Sequence, residues 1–435
     1  MATSEPSISS TDPVVLANHY RTIIEENKVF GSKIINKIVA STPDLHGEHA
    51  CSSCDYLTIQ LQDETGTESM LQVFVKRQIL NASQMEMVVD MQFFQKEAGL
   101  FNEVVPMLNN FIATKVSGDL FKLDMIPTSY FANEEVIMME NLVTKGFTSI
   151  PKIEKVDLER TIIVLGTLAK FHAPSYLLLK EETQSGKTGS IESFLDKHPC
   201  LKDCFLFDTA AKHLQGWFGV TFETAGLVLE SFESTNKDST LQLLDKVRTN
   251  VLETFQKNLT VEDGHLCFVI NHGDFLNNNM MFLVEQNSRK VMDHVLIDFQ
   301  RVHLGSPNLD IAYFLFTSVK SDVRRQKWKD LLKIYYGTFQ KHVKTLGGTV
   351  DFSFEELVAD FRRKFFSGFV FGVLLCCMAG MIAAQGDLDK AEENAVDWLR
   401  KSISSWVRDN PQKVEEIGQE LCGLLQEYKN LTTDH

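Results

Sequence analysis

"VINHGDFLNNNMMF", residues 269 to 282, sets a histidine, an aspartate and four asparagines between two short apolar runs. Buried strands rarely carry such a cluster, because each carboxylate or amide taken inside must find a partner. A second carboxylate, Asp298, stands in "VLIDFQ" beyond a readable hairpin. There the apolar runs "MMFLV" and "VMDHVLI" flank the turn signal "EQNSRK". Strands joined in this way bring Asn279 and Asp298 to one end, close to Asp274. Two aspartates and an asparagine converging is the set that phosphoryl transfer from Mg·ATP requires. One carboxylate orients the acceptor hydroxyl, while the amide and the other carboxylate hold Mg2+ against the phosphates. Asparagine suits the metal because it adds an oxygen ligand without adding negative charge beside the triphosphate.

The matching cation lies far upstream. Lys76 ends the alternating segment "LQVFVK", on which Val73 and Val75 face one way and Phe74 and Lys76 the other. Glu97 follows on a helical pattern, placed to pair with Lys76 and hold it against the α- and β-phosphates. Taken singly, each residue has an ordinary explanation: a solvated strand edge, a solvated helix face, an asparagine-rich turn. Their order along one chain is harder to set aside.

Length and charge narrow the classes. A chain of 435 residues predicts two domains or lobes. A formal net charge of -15 and no local basic patch argue against nucleic acid and anionic membrane surfaces as partners. The start, "MATSEPSISSTDP", has no basic or apolar character and reads as a loose tail, with no secretory signal, myristoylation glycine or prenylation box. Eight scattered cysteines, including the neighbours Cys376 and Cys377, fit reduced thiols and a cytoplasmic location. Cys51 and Cys54 form a lone CxxC without two further ligands for a structural zinc.

One segment points elsewhere. "FFSGFVFGVLLCCMAGMIAA", residues 365 to 384, is uncharged and long enough to span a membrane, with Gly368 and Gly372 at helix-dimer spacing. A fully buried core helix gives the same signature, and burial without a membrane span is the expectation.

Character changes along the chain. "DYLTIQLQD" and "SMLQVFVKRQIL" read as strands around the turn "ETGTE", and "QMEMVVDMQFFQKEAGLFNEVVPML" predicts a helix stopping at Pro106. "DMIPTSYFANEEVIMMENL" is strand-like again. Beyond Lys155 the text is mostly helical, as in "PQKVEEIGQELCGLLQEY", where Val414, Ile417, Leu421, Leu424 and Tyr428 share a face. A small sheet-rich lobe followed by a larger helical one predicts a small-molecule site in the cleft between them.

These motifs together resemble the ecdysteroid kinase-like family, relatives of the aminoglycoside phosphotransferases and choline kinases. Its pattern is met, in order, by Lys76, by Glu97 in "FFQKEAGLFNEVVP", by "MMENLVTKGF", "LAKFHA" and "HGDFLNNN", and by "IDFQRVHLGSPNLDIAYFL". The resemblance covers residues 45 to 320 or so. It implies an α+β, protein-kinase-like two-lobe fold: a lead-in to residue 30, a sheet lobe over 31–138, a hinge over 139–145 and a helical lobe over 146–435 with an acceptor-side insertion at 174–265. It implies ATP and Mg2+ as cofactors and a monomer acting on a hydroxylated small molecule, steroid or xenobiotic. Residue by residue, it makes Asp274 the catalytic aspartate, Asn279 and Asp298 the magnesium ligands, and Lys76 with Glu97 the phosphate-binding pair. Glu140, Asn141 and Leu142 become the hinge that meets adenine, His272 a brace of the catalytic loop, and Asp310 the residue that pins it.

Two departures stand out. Leu276 replaces the family's usual tryptophan, and "DLHGEHACSSCDYL" carries no GxGxxG, so that Ser52 and Ser53 are the candidates for phosphate contact. Two other readings stay open: a non-catalytic binder of nucleotide or sterol, and a choline- or aminoglycoside-type kinase. A protein kinase does not fit, for HRD, DFG and APE are missing and about a hundred residues separate "LAKFHA" from "HGD".

Overall fold

Two-residue alternation governs the first third of the chain in the computed structural model, which describes residues 12–43, 52–78, 82–151, 154–184, 190–260, 266–385 and 395–433. After helix α1 (Pro13–Glu26), strands β1 (Ile34–Ser41), β2 (Ser52–Gln62), β3 (Glu68–Gln78), β4 (Ser129–Ala132) and β5 (Val136–Glu140) form one antiparallel sheet, ordered β1-β2-β3-β5-β4. The β2–β3 turn closes on Asp63, whose carboxylate accepts from Thr65 N and Thr67 N at 2.9 Å. Helix α1 falls within the expected lead-in and is part of the lobe. Asp12 caps it, and Leu16, Tyr20 and Ile24 are buried in the cluster that holds Leu57, Ile59, Val73 and Val75. Buried Asp55 ties the layers together, accepting from Tyr20 Oη at 2.5 Å and Arg77 Nε at 2.8 Å.

The single helix expected to stop at Pro106 is built differently. It breaks at Gln92, which adopts φ 55°, into α2 (Ala82–Asp90) and α3 (Phe93–Gly99). A wide π turn over Leu100–Val104 then leads into α4 (Val105–Lys115). Pro106 follows that π turn directly, in helical backbone that runs unbroken from Phe93 to Lys115, so it does not end the helix; the wide turn has already interrupted the regular bonding just before it.

The second part is helical. It holds α5 (Leu158–Gln184), α6 (Ile191–Lys197), α7 (Ala211–Ser231), α8 (Lys237–Thr249) and α9 (Val251–Leu259). These are followed by α10 (Pro307–Thr317), α11 (Ser321–Thr345), α12 (Phe354–Gln385), α13 (Ala395–Asp409) and α14 (Pro411–Thr433). Short strands β6 (Phe147–Ser149), β7 (Val269–Asn271), β8 (Met280–Val284), β9 (Val291–Leu296) and β10 (His303–Gly305) make two small sheets, β6-β8-β9 and β10-β7. The expected hairpin is therefore β8–β9. This is the α+β, two-lobe, protein-kinase-like arrangement that the resemblance implies. Residue 174, where the insertion is expected to begin, is a proline inside α5, which runs on to Gln184.

Two helices among the described residues are long and apolar enough to cross a membrane: α5 over Leu158–Thr183 and α12 over Phe354–Ile382, with 72% and 67% of their most apolar windows buried in the fold. The glycines of α12 explain why. A methyl group on Gly368 would lie 2.4 Å from Ala312 O, and one on Gly372 3.0 Å from Phe316 O. The small-residue spacing thus lets α10 of the same chain lie against α12. On another face, Phe369 of α12 meets Tyr428 of α14, ring centroids 5.0 Å apart, so the tail helix has its apolar partner.

Candidate active site

Glycine at position 273 makes the loop after β7 possible. Its φ is 82°, and a Cβ there would lie 2.0 Å from Arg301 O, so any side chain would push two backbones apart. Asp310, in the first turn of α10, then holds the loop from below. Its two oxygens accept from His272 N at 2.7 Å and Gly273 N at 2.9 Å. Burial acts to raise the Asp310 carboxyl, but the hydrogen bond from His172 leads the opposing influences that hold it below its ordinary value. His172 itself is pushed down by burial, toward the neutral ring. That ring bridges Tyr335 Oη at 2.8 Å and Asp310 at 3.3 Å, so Tyr335 donates to Nδ1 and Nε2 donates to the carboxylate.

His272 is also lowered by burial. It donates from Nε2 to Ile297 O at 2.9 Å, and its Nδ1 accepts from Asp274 N at 3.3 Å. Both nitrogens are thereby engaged in bracing the loop.

Asn277, Asn278 and Asn279 divide the work. Asn277 is wholly buried, donates its backbone N–H to Ser318 Oγ at 3.0 Å, and donates its side-chain amide to Pro151 O at 3.1 Å and to Glu154 O. Asn278 donates to Asn279 Oδ1 at 3.1 Å. Asn279 donates at 2.9 Å to both the carbonyl and the carboxylate Oδ2 of Asp274. Ile297 N in turn donates to Asn279 O at 3.0 Å, which places the asparagine beside the Asp298 loop. Asp298 has φ 65°, a left-handed conformation that a non-glycine residue rarely adopts, and such strain concentrates at functional sites.

Lys76 crosses the cleft. Its ammonium lies 2.5 Å from Glu97 Oε2 and 2.6 Å from Asp298 Oδ1. Glu97, on α3, also accepts from Phe299 N at 3.1 Å. Burial alone would depress Lys76, but the carboxylates of Asp298 and Glu97 push it well above its ordinary range. Burial raises Glu97 and Lys76 opposes that rise; the donation from Phe299 N favours the carboxylate, so the contact is an ion pair. Two carboxylates share one ammonium, leaving local negative charge that a bound cation would offset. Among the described residues, no three His, Cys, Asp or Glu side chains are grouped to hold a metal. A Mg2+ ion riding on phosphates needs only one or two protein ligands, and the donor set of Asn279 and Asp298 fits that demand.

The residues expected to form the hinge lie at the end of β5 and just after it. Glu140 turns back, its carboxylate accepting from Thr128 N at 2.7 Å and pairing with Lys145. Asn141 N donates to Gln72 O at 3.2 Å, and Asn141 O accepts from Thr144 Oγ1 at 2.7 Å. Ser52 and Ser53 open β2, opposite Gln78 and Arg77, and Cys54 pairs with Lys76 across the strands. Burial pushes the Cys54 thiol up to about 12, so it stays neutral. Residues 44–51, with Cys51 and most of the expected phosphate loop, lie outside the described residues.

Sequence reasoning missed three residues around Asp274. Tyr313 Oη donates to Asp274 Oδ1 at 2.7 Å, and Arg301 Nη1 donates to the same oxygen at 3.3 Å. Phe205, between α6 and α7, stacks on that guanidinium at 3.8 Å. A charged residue directly after "IDFQ" was a signal available for Arg301; nothing in the pattern marks Phe205. Lys96 was also passed over. It is buried next to Glu97 and donates to Cys200 O at 2.6 Å and to Lys202 O, fastening α3 to the segment between α6 and α7.

Fold and site together define a two-lobed chain with the residue order of a phosphotransferase-type cleft. A family model described as the ecdysteroid kinase-like family matches residues 46–348, and the chain belongs to that family. It is 22% identical over 260 residues to a Caenorhabditis elegans protein described as the uncharacterized oxidoreductase dhs-27. The match takes in 55% of this chain and 27% of that protein, so the chain spans about a quarter of the relative's length. Among solved structures it is similar to a choline kinase from Cryptosporidium parvum Iowa II, at 12% identity and a TM-score of 0.40, covering 97% of this chain and 100% of that one. It is similar also to a GDP complex of aminoglycoside 2'-phosphotransferase-IIIa, at 12% identity and 0.39, covering 93% and 98%.

Proposed function

We propose that the protein is an ATP-dependent small-molecule kinase that places the γ-phosphate of Mg·ATP on an alcohol hydroxyl, with a steroid or a hydroxylated xenobiotic as acceptor. The observation that carries this reading is the position of Lys76 between Glu97 and Asp298, with Asn279 joining the Asp298 loop to Asp274. Bound Mg·ATP would supply the transferable phosphoryl group and the dication that neutralises charge on it. Lys76 is then the cation for the α- and β-phosphates, and Glu97 keeps it aimed. Asn279 and Asp298 are the oxygen donors for the metal. Glu140, Asn141 and Leu142 are the hinge whose backbone groups meet adenine. Asp274 orients the acceptor hydroxyl and takes up its proton as the oxygen attacks. Family membership supports the steroid class of acceptor.

The test is a screen of hydroxylated steroids and plant metabolites, read by mass spectrometry as an ATP-dependent gain of one phosphate. Product formation with wild type and its loss in Asp274→Asn supports the reading. Mg·ATP binding without any product across the screen, and no ATP consumption, would favour a non-catalytic nucleotide-binding protein.

A further inference from the structure

A cation already occupies the aromatic surface next to Asp274. The Arg301 guanidinium carbon lies 3.8 Å from the centroid of Phe205, 5.0 Å from that of Phe371 and 5.4 Å from that of Tyr313. These rings come from three separate places: the segment between α6 and α7, helix α12 and helix α10. Phe205 and Phe371 are themselves stacked, with centroids 5.9 Å apart and an interplanar angle of 26°. Three aromatic faces with a carboxylate at the rim are the recognition chemistry of an ammonium group. Here the chain's own side chain fills that seat, and its Nη1 takes the Asp274 oxygen to which Tyr313 also donates.

The guanidinium is held in place. The Arg301 carbonyl accepts from His303 Nδ1 at 3.0 Å and backs directly onto Gly273. The side chain is only 9% exposed, and the cavity beside it, lined in part by Gly273, Tyr313 and Phe371, has a volume of about 10 Å³, room for one water at most. An arriving ammonium would find the rings covered, Asp274 already accepting from Arg301 and Tyr313 on Oδ1 and from Asn279 on Oδ2, and a fixed positive charge at contact range. A neutral hydroxyl meets no charge repulsion there and still reaches Asp274, which keeps 17% of its side chain exposed.

We propose that Arg301 is the specificity-determining residue for acceptor charge: by filling the aromatic seat beside Asp274 it excludes cationic alcohols and leaves the site to neutral or anionic ones. The inference rests on the reading of Asp274 as the acceptor-side carboxylate. It separates this chain, on electrostatic grounds, from a kinase for choline or an aminoglycoside.

The experiment reads cation binding directly, without nucleotide, so that its failure is distinct from a failure of the kinase reading. Tetramethylammonium is titrated into wild type, Arg301→Ala and Arg301→Gln, with binding followed by ligand-observed NMR and folding by circular dichroism. Wild type should take up none. A folded Arg301→Ala should bind the ion about tenfold or more above background, as a vacated cation–π seat would, and Arg301→Gln, with its shorter uncharged chain, should bind it more weakly. In parallel, wild type is given choline or its uncharged isostere, in which a tert-butyl group replaces the trimethylammonium, and ADP release is followed. Choline should give no acceleration. Tetramethylammonium binding to wild type, its absence from both folded variants, or choline-stimulated ADP release by wild type would each overturn the proposal.

Discussion

Lys76 and Asp298 stand 222 positions apart in the chain, yet ammonium and carboxylate meet at 2.6 Å. The contact fastens β3 of the sheet lobe to the loop after β9, and Glu97 joins it from α3 at 2.5 Å. Because Lys76 is 7% and Glu97 1% exposed at the side chain, neither charge has much water to fall back on. Removing one partner leaves the other buried and alone, which costs about 3–5 kcal/mol. Lys76→Met is therefore expected to lower the unfolding free energy by an amount of that order in urea melts. The double variant Lys76→Met with Glu97→Leu should recover part of the loss, since the stranded carboxylate is gone. A double variant no more stable than Lys76→Met would count against the ion pair.

For Asp274 the expectation is chemical. Asp274→Asn preserves the shape of the side chain but removes the base, so turnover of an identified acceptor should fall about 10²-fold or more. Mg·ATP affinity should change little, because the nucleotide is held by other residues. Turnover equal to wild type would remove Asp274 from the chemistry.

Asp298 should separate from Asp274 in such measurements. Asp298→Ala removes an oxygen ligand from the metal, and the affinity for Mg·ATP is expected to drop about tenfold or more. Calorimetry with and without Mg2+ provides the check: equal Mg·ATP affinity in variant and wild type would mean that Asp298 does not ligate the metal.

His294 makes stability depend on pH. It lies on β9, buried against Phe282 with ring centroids 4.6 Å apart, and neither ring nitrogen has a hydrogen-bond partner among the described residues. Burial pushes it from the ordinary 6.5 down to about 3. Between those two values the unfolded chain binds a proton that the folded chain refuses, so stability declines as pH falls through that window. Thermal melts of wild type should show the decline from pH 6.5 toward 4. His294→Leu, which carries no titrating group, should make the decline shallower, the remainder coming from buried His172 and His272. Parallel curves for the two proteins would show that another group governs the acid limb.

What the sequence made legible was the catalytic order, and the reason is physical. Lys76, Glu97, Asp274, Asn279 and Asp298 are charged or polar residues in apolar surroundings, and such residues stand out against a hydrophobic pattern. Strand alternation in β2 and β3 was readable for the same reason. Features set by tertiary packing were not. Nothing local shows that Gln92 takes a left-handed turn or that helical backbone continues through Pro106 by way of a π turn. Nor does local pattern show that α1 belongs to the sheet, since its three buried side chains, Leu16, Tyr20 and Ile24, gain meaning only from their partners. The aromatic surface around Arg301 comes from positions 205, 313 and 371, and only the fold joins them.

The apolar helix α12 offers the sharpest separation between two physical outcomes. Gly368 and Gly372 could serve a helix partner in lipid, but here they receive α10 of the same chain, with backbone atoms where side chains would be. α10 carries Asp310 and Tyr313, so the fit between the two helices also sets the height of the Asp274 loop. Gly368→Leu must separate them, and overpacking against backbone should cost about 3 kcal/mol or more. The variant is expected to melt at lower temperature and to lose turnover, although residue 368 is not among those that touch Asp274 in the contacts described above. Wild type, expressed without detergent, should remain in the high-speed supernatant as a compact species. If it is instead recovered only in the membrane fraction, released by detergent and not by carbonate, α12 lies in lipid and its packing against α10 is not the native arrangement.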